Sequence, residues 1–328
     1  MRVTQQMMSS SMLTNLNQLR SRQATLSDQI SSGDRITRVS EDPTSGAEVM
    51  RIQNRAESVK QWKANLGDAK SWIYATEAKL GDLTNILAQA KELALQAFNG
   101  SQSDESRKSL APAAEQLLQD ALAALNEREP TGALFGGYVT DQNPFALTFD
   151  PATNAPVVRY SGDGNGMQRD VGPSVTLTAN LPGTRLATIG AGGVADPDNM
   201  ISTLWSLSQA LKAGKTDSAY TPPAPPPPAP APAPVTVHTA DQILSNLESA
   251  RQNVIALRSE MGARQIRVES LEHRLQSTEV QLDAALQQAQ GVDMAKALVE
   301  LNSAETTYRA ALQVGGRVFP QSLADFLR

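Results

Sequence analysis

Hydrophobic positions at the start of the chain recur in steps of three, four and seven residues. Such spacing places them along one face of a helix, while Gln, Ser, Asn and Arg occupy the other faces. Gly33 predicts the end of this helix, since glycine commonly follows a last helical turn. Further on, Asp42 and Pro43 predict the start of a second helix, as a cap and a first helical residue. The first stripe consists of Met8, Met12, Leu16, Leu19, Leu26 and Ile30.

The second helix has a nearly continuous apolar seam with alternating steps of three and four, which is typical of coiled coils. Asn99-Gly100 predicts its end, and a third helix with apolar positions from Leu110 to Leu125 follows. Pro112 either begins or kinks that third helix, and the pattern does not decide between the two. The seam of the second helix is Leu66, Ala69, Ile73, Thr76, Leu80, Leu83, Leu87, Ala90, Ala94 and Ala97.

A longer seam lies in the C-terminal part of the chain. Thr239 and Gln242 form a capping box that predicts its start, and the spacing breaks near Gly291. A helix of about 50 residues is roughly 75 Å long, so its partner is the other long helix or another chain. A last stripe follows at Met294, Leu298, Leu301, Tyr308 and Leu312. The long seam runs through Ile243, Leu247, Ala250, Val254, Leu257, Met261, Arg264, Val268, Leu271, Leu275, Thr278, Leu282, Ala285 and Ala289.

Helix-breaking residues concentrate between these flanks: residues 131–240 hold 15 of the 19 Pro and 12 of the 21 Gly. Three strands are predicted there, at 133–138, 156–160 and 174–179, followed by a short helix at 200–212. Residues 222–234 contain nine Pro, which favours a polyproline II spacer or a disordered surface loop.

The pattern therefore predicts an α fold with a β-rich insert. Helices from both chain ends form a long antiparallel coiled-coil bundle, and a smaller β-rich domain lies outside it. Three parts are expected: terminal assembly helices at 1–40 and 291–328, a long-helix bundle at 41–130 and 239–290, and an outer domain at 131–238.

The amino-acid composition argues against several classes of function. The net charge of −5 argues against a nucleic-acid surface, and the absence of Cys excludes disulfides and thiolate chemistry. No apolar stretch is long enough to span a membrane. The first residues lack a continuous apolar region, so no cleaved signal peptide is expected.

Candidate catalytic and binding motifs are incomplete. Gly214-Lys215-Thr216 ends like a phosphate-binding loop, but Gln209 stands where that loop needs glycine. Asp163-Gly164-Asn165-Gly166 lacks the ligand pattern of a calcium loop. His238 and His273 are too few for a metal cluster. We therefore expect no enzyme activity, no cofactor and no metal site.

The stripes at the two ends of the chain are better candidates. A helix pair buries one seam only, and bare apolar faces invite partners. Self-assembly is thus predicted for both termini, at Met8, Met12, Leu16, Leu19, Leu26, Ile30, Leu298, Leu301, Tyr308, Leu312, Leu323, Phe326 and Leu327.

Short motifs in a characteristic order give the chain a family likeness. They are Met1-Arg2-Val3-Thr4, Ser32-Gly33-Asp34-Arg35-Ile36 with Glu41-Asp42-Pro43, Leu134-Phe135-Gly136-Gly137-Tyr138 with Pro144-Phe145, Tyr160-Ser161-Gly162-Asp163, Gly262-Ala263-Arg264 and Ser322-Leu323-Ala324-Asp325-Phe326-Leu327. The whole chain resembles the bacterial flagellin superfamily, most closely its hook-associated members at the hook–filament junction. The approach to Leu134 and the proline-rich segment depart from that pattern.

The resemblance implies a structural protein of the extracellular flagellum. It implies a ring of copies that contacts the other hook-associated junction protein and flagellin. It also implies type III export without a cleaved signal, guided by a chaperone, and no contact with nucleic acid or membrane.

Two alternatives stay open. One is flagellin itself, which the Leu-Phe-Gly-Gly and Pro-Phe elements and the chain ending disfavour. The other is a surface-binding module built on the insert, using Trp205 and Tyr160.

Overall fold

The structure is a computed structural model of the chain. In it, long helices on both sides flank a central segment of short strands. The structure describes residues 5–36, 42–130, 132–150, 156–190, 193–215 and 238–318. In these residues the helices are α1 (Gln5–Ser32), α2 (Pro43–Ala97), α3 (Asp104–Leu125), α4 (Met200–Ala213), α5 (Ala240–Gln290) and α6 (Met294–Val318). The strands are β1 (Arg128–Glu129), β2 (Gly132–Ala133), β3 (Phe145–Phe149), β4 (Pro156–Tyr160), β5 (Gln168–Gly172) and β6 (Val175–Thr178). The predicted fold class, helices from both ends with a β-rich insert, is confirmed.

The helix ends follow the local sequence signals. Asp42 Oδ1 accepts hydrogen bonds from the backbone N–H groups of Thr44 and Ser45, both at 3.2 Å. Gly33 has a φ of 79°, the left-handed conformation that ends α1 without a Cβ penalty. The capping box at the start of α5 is also present, since the Thr239 N–H donates to Gln242 Oε1 at 2.9 Å. These ends were predictable because each depends on one or two residues.

The contacts group the chain into two compact units. The terminal unit contains residues 1–60 and 276–328, and the middle unit contains residues 61–275. The boundaries fall inside the long helices α2 and α5. The three-part division expected from the sequence stays a prediction.

Two long helical segments, from α2 and α5, form the frame of the middle unit. Their ion pairs run in opposite chain directions: Lys70–Glu272 at 2.8 Å, Arg258–Glu77 at 2.7 Å and Lys91–Glu248 at 2.9 Å. The two segments are therefore antiparallel, as predicted. Their seams are buried at Leu66, Ala69, Ile73, Thr76, Leu80, Leu83, Leu87, Ala90, Ala94, Ala97, Ile243, Leu247, Val254, Leu257, Met261, Val268 and Leu271.

The predicted seam of α5 includes one charged side chain, Arg264, which is half-buried in the structure. This side chain lies in α5 and donates from Nη1 to the carbonyl oxygens of Thr178 at 3.2 Å and Asn180 at 2.9 Å. Its Nη2 also donates to Glu260 Oε1 at 2.7 Å. Arg264 therefore connects the insert to α5 through hydrogen bonds, a role that the seam spacing did not predict.

The insert consists of three separate antiparallel hairpins in the described residues: β1–β2, β3–β4 and β5–β6. The predicted strand at 156–160 is present as β4, and it pairs with β3, which was not predicted. The predicted strand at 133–138 was wrong beyond Ala133. Gly137, with a φ of 71°, turns the chain there.

Helices α3 and α4 pack against each other beside the hairpins. Pro112 lies inside α3 and does not begin it, because Ser103 caps the helix by accepting a hydrogen bond from the Ser106 N–H. Arg107, buried at the start of α3, donates from Nε to the Ala97 carbonyl at 2.9 Å. The last carbonyl groups of a helix have no hydrogen-bond partner within that helix, and the cationic Arg107 side chain supplies one at the end of α2.

Candidate assembly surface

The first and last described helices, α1 and α6, pack against each other in the terminal unit. Their stripes are therefore partly covered within one chain. Leu26 is buried, and Ala297 and Ala304 are buried on α6. Other predicted assembly residues are only half-buried: Met12, Leu16, Leu19, Ile30, Leu301 and Tyr308.

One side of α6 remains exposed next to this contact. Leu298 keeps 51% of its surface accessible and Leu312 keeps 47%, and they lie fourteen residues apart, or two heptads, on the same side of the helix. Met294, four residues before Leu298, is 48% exposed. We call Met294, Leu298 and Leu312 the open stripe.

A glycine sets the close approach of the two terminal helices. Gly315 is buried, and a Cβ atom built on it would lie 2.5 Å from Met12 Cε and 3.3 Å from its Sδ. Any larger residue at 315 must displace the Met12 side chain. Met12 is therefore an internal contact of the pair as well as a predicted assembly residue.

The inner ends of α1 and α6 meet at a short backbone clip. Asp34 and Gly291 form an antiparallel bridge, in which the Arg35 N–H donates to the Gln290 carbonyl at 2.5 Å. The Val292 N–H donates in turn to the Gly33 carbonyl at 3.0 Å. Gly33 adopts its left-handed φ of 79° without a Cβ penalty, and Gly291 follows the last turn of α5, where a Cβ would collide with the carbonyl oxygen of Gln287 in that helix.

Four of the predicted assembly residues are not placed by the structure. Met8 lies in α1, but its side chain is outside the described residues, as are Leu323, Phe326 and Leu327. Their part in assembly stays a prediction.

The incomplete chemical motifs have structural explanations. Gly214, with a φ of 69°, is the C-cap of α4. Asp163 forms a turn in which its Oδ1 accepts from the N–H groups of Tyr138 and Asn165, both at 3.0 Å. Burial opposes the charged form, but these hydrogen bonds outweigh it and lower the pKa of Asp163.

Across the described ranges, no group of His, Asp and Glu side chains has a metal-binding arrangement. Within the same ranges, no helix is both long and apolar enough to cross a membrane.

Two motifs of the family likeness interlock in the insert. The Tyr160 hydroxyl lies 2.8 Å from the Phe135 carbonyl and 2.7 Å from the Asp163 carbonyl, and it accepts from the Gly183 N–H at 3.1 Å. Burial raises the pKa of Tyr160 to about 12. Tyr160 and Trp205, the aromatic residues suggested for a surface-binding module, are both buried. That use of them is wrong, because neither ring is presented to solvent.

A buried histidine was missed by the sequence reasoning. His238 Nε2 lies 2.8 Å from Asp198 Oδ1, and its Nδ1 lies 3.2 Å from Ser206 Oγ. The carboxylate only accepts, so Nε2 carries a proton. The order carboxylate, imidazole, hydroxyl is that of a nucleophilic triad, but Ser206 is buried within α4. The group instead joins the start of α4 to the residues before α5. Its members are too far apart in sequence for any spacing rule to find them.

Family models match both helical flanks of the chain. The model of the bacterial flagellin N-terminal helical region matches residues 3–129, and that of the C-terminal helical region matches residues 244–327. The chain belongs to the flagellin superfamily. The two matched regions contain the helices that form the terminal pair and the long-helix frame.

Relatives of this chain include a flagellar hook-associated protein and a flagellar filament protein. The chain is 24% identical over 330 residues to flagellar hook-associated protein 3 of Salmonella typhimurium, covering 97% of this chain and 96% of that one. It is 26% identical over 311 residues to the flagellar filament 41 kDa core protein of Borreliella burgdorferi, covering 92% of each.

Solved structures share the fold. A putative flagellar hook-associated protein from Vibrio parahaemolyticus aligns with a TM-score of 0.59 at 16% identity, covering 76% of this chain and 99% of that one. The flagellar junction protein FlgL from Legionella pneumophila aligns with a TM-score of 0.54 at 16% identity, covering 75% of this chain and all of that one.

Proposed function

We propose that this chain is a structural subunit of the bacterial flagellum that assembles at the junction between hook and filament. The observation that carries the proposal is the match to hook-associated protein 3 along nearly the whole length of both chains. The fold shared with solved junction proteins supports it.

In the proposed mechanism, neighbouring subunits cover what the α1–α6 pair leaves exposed. The half-buried seam residues of the pair, together with the open stripe, present apolar surface that one chain does not bury. Covering it releases about 25 cal/mol for each Å² of apolar area removed from water. Terminal helices that lack this cover are marginal alone and take their final order on assembly.

The proposed partners are further copies in a ring, the other hook-associated junction protein on one side and flagellin on the other. Delivery would use the flagellar type III export channel and a chaperone, without a cleaved signal. Catalysis has no place in this proposal, in keeping with the structural names of the relatives.

Position on the flagellum tests the proposal directly. Gold particles on an antibody against this chain are expected at a single point, the boundary between hook and filament. Label along the filament would overturn the junction assignment and favour the filament role suggested by the Borreliella relative.

The open stripe is tested by a double substitution, Leu298→Ser with Leu312→Ser. Both side chains are about half exposed, so the isolated chain should keep its helical content while ring formation and motility are lost. The matched control is Val299→Ser with Val314→Ser, which removes two exposed apolar side chains from other sides of the same helix. Equal loss in both pairs, or in neither, would contradict the role of the open stripe.

A further inference from the structure

The sequence contains two Asn-Gly dipeptides, Asn99-Gly100 and Asn165-Gly166. In such a pair the glycine backbone nitrogen can attack the asparagine side-chain carbonyl carbon, because no Cβ on the following residue obstructs the approach. Intrinsic reactivity is therefore the same at both sites, and the fold decides between them.

At the first site, hydrogen bonds orient the Asn99 side chain towards the residues that follow it. Asn99 lies in the turn between α2 and α3, and its Oδ1 accepts from the Ser101 N–H at 3.3 Å and from the Ser101 hydroxyl at 3.2 Å. Two donors on a carbonyl oxygen stabilise the negative charge that develops there when its carbon is attacked. Gly100 itself is exposed, with open space around its Cα.

At the second site, hydrogen bonds orient Asn165 towards Asp163, which precedes it, and away from Gly166. The Asn165 N–H donates to Asp163 Oδ1 at 3.0 Å, and the side-chain amide also hydrogen-bonds this carboxylate. Gly166 is fixed as well, because its carbonyl accepts from the Tyr138 hydroxyl at 3.2 Å and its Cα faces the Thr178 methyl group.

We propose that Asn99 is a site of spontaneous deamidation in the folded protein, whereas Asn165 is protected. The Gly100 nitrogen forms a bond to Asn99 Cγ, the Cγ–Nδ2 bond breaks, and ammonia leaves with the proton from the Gly100 nitrogen. Solvent water then opens the five-membered imide at either carbonyl, giving aspartate or isoaspartate. No oxidant, reductant or enzyme is required.

The product changes the connection between two helices. A new carboxylate appears two residues after the end of α2, where the helix dipole disfavours negative charge. Isoaspartate also lengthens the backbone of the turn by one carbon. Arg107, which bonds the Ala97 carbonyl at 2.9 Å and Asp104 at 3.1 Å, spans this turn. Faster hydrogen exchange is therefore expected around Ala97 and Arg107 in the aged protein.

Trypsin separates the two sites, which makes the test simple. Cleavage after Lys91 and Arg107 releases Asn99 in a peptide with no other asparagine, and cleavage after Arg159 and Arg169 does the same for Asn165. The full-length folded protein is incubated at neutral and mildly alkaline pH, and both peptides are followed by mass spectrometry. The mass gain of amide-to-acid conversion should accumulate in the Asn99 peptide several-fold faster.

A denatured sample gives the baseline, in which both peptides should convert at similar rates. Equal or faster conversion at Asn165 in the folded protein would overturn the proposal, as would no conversion at Asn99.

Two variants test the geometry at Asn99. Gly100→Ala meets no atom within 4 Å, so the fold should survive while conversion falls several-fold. Ser101→Ala removes one of the two donors to Oδ1 and should slow conversion in the folded state only. An unchanged rate in Ser101→Ala would reject the role of the hydroxyl, and an unchanged rate in Gly100→Ala would reject attack by this nitrogen.

Discussion

In the middle unit, six successive seam positions of α2 from Leu80 to Ala97 have no accessible surface. In the terminal unit, Met12, Leu16 and Leu19 follow the same alternation of three and four and remain half-buried. The hydrophobic spacing is alike, but the first region has the insert and further helices around it, while the second lies in the contact between α1 and α6. Spacing predicts which face is apolar, and only the number of neighbours decides how fully it is covered.

The strongest way to test this difference is to delete residues 1–30. The middle unit should keep its unfolding midpoint, because its seam is covered by its own residues, whereas motility should be abolished. Swimming assays and thermal unfolding followed by circular dichroism measure the two effects. Motile cells that carry the deletion would contradict the role of the terminal pair.

Matched truncations sharpen the comparison. Leu87→Ala leaves a cavity at a fully buried position and should cost about 2–5 kcal/mol of unfolding free energy. Leu16→Ala, at a half-buried position, should cost about 1 kcal/mol. Urea unfolding gives both values, and similar costs would show that the two seams are equally covered.

Removing the Arg264 hydrogen bonds that connect α5 to the insert should lower the unfolding free energy by an intermediate amount. Arg264→Met leaves the Thr178 and Asn180 carbonyls without this donor, at about 1–3 kcal/mol for an unsatisfied buried group. Hydrogen exchange should rise in β6 and not in the α2 seam. Arg267→Met is the control, because Arg267 is exposed and reaches the Thr176 carbonyl only at 3.4 Å. Equal exchange in the two variants would remove the special role of Arg264.

A polar seam residue offers a gain in stability. Thr76 is fully buried, and its hydroxyl has no hydrogen-bond partner among the described residues. Thr76→Val keeps the shape and should raise the unfolding free energy by about 1 kcal/mol. Thr84→Val is the control, since the half-buried Thr84 hydroxyl donates to the Leu80 carbonyl at 2.8 Å. A loss of stability in Thr76→Val would show that the hydroxyl is satisfied.

The smallest effect concerns the surface charges that connect α2 and α5. Hydrogen bonds from Arg251, Lys91 and Gln252 lower the pKa of Glu248 from its ordinary 4.5 to about 2. The folded protein therefore binds this proton less readily than the unfolded chain, so the stabilisation is complete above pH 4.5 and disappears as the pH falls towards 2. The difference in unfolding midpoint between wild type and Glu248→Gln should shrink over that range. A difference that persists at the acid end would exclude this linkage.

Features that depend on neighbouring residues were predictable from the sequence. The caps at Asp42 and Thr239, the glycine at 33 and the seams of α2 and α5 each follow from a local rule. The predictions failed where the partner is distant in sequence. Arg264 bonds carbonyls more than eighty residues away, and His238 joins Asp198 and Ser206 across a proline-rich segment.

The candidate surface shows the same limit. Periodicity identified the apolar residues of α1 and α6, but it did not reveal that one chain brings the two helices together. It also did not separate Leu301, which lies towards the pair, from Leu298, which lies in the open stripe. That separation depends on a helix rotation fixed by Ala297, Ala304 and Gly315, whose small size permits the close approach.

The clip between Gly33 and Val292 has a kinetic consequence. It holds the inner ends of α1 and α6 at one point, although more than 250 residues of chain separate them. Once the clip has formed, bringing α1 and α6 together no longer requires the entropy loss of closing that long loop. Each helix then meets the other at a high effective concentration. Pairing can then propagate outwards from the clip one turn at a time, so that the outer turns of α1 and α6 are the last of the two helices to pair and the first to separate.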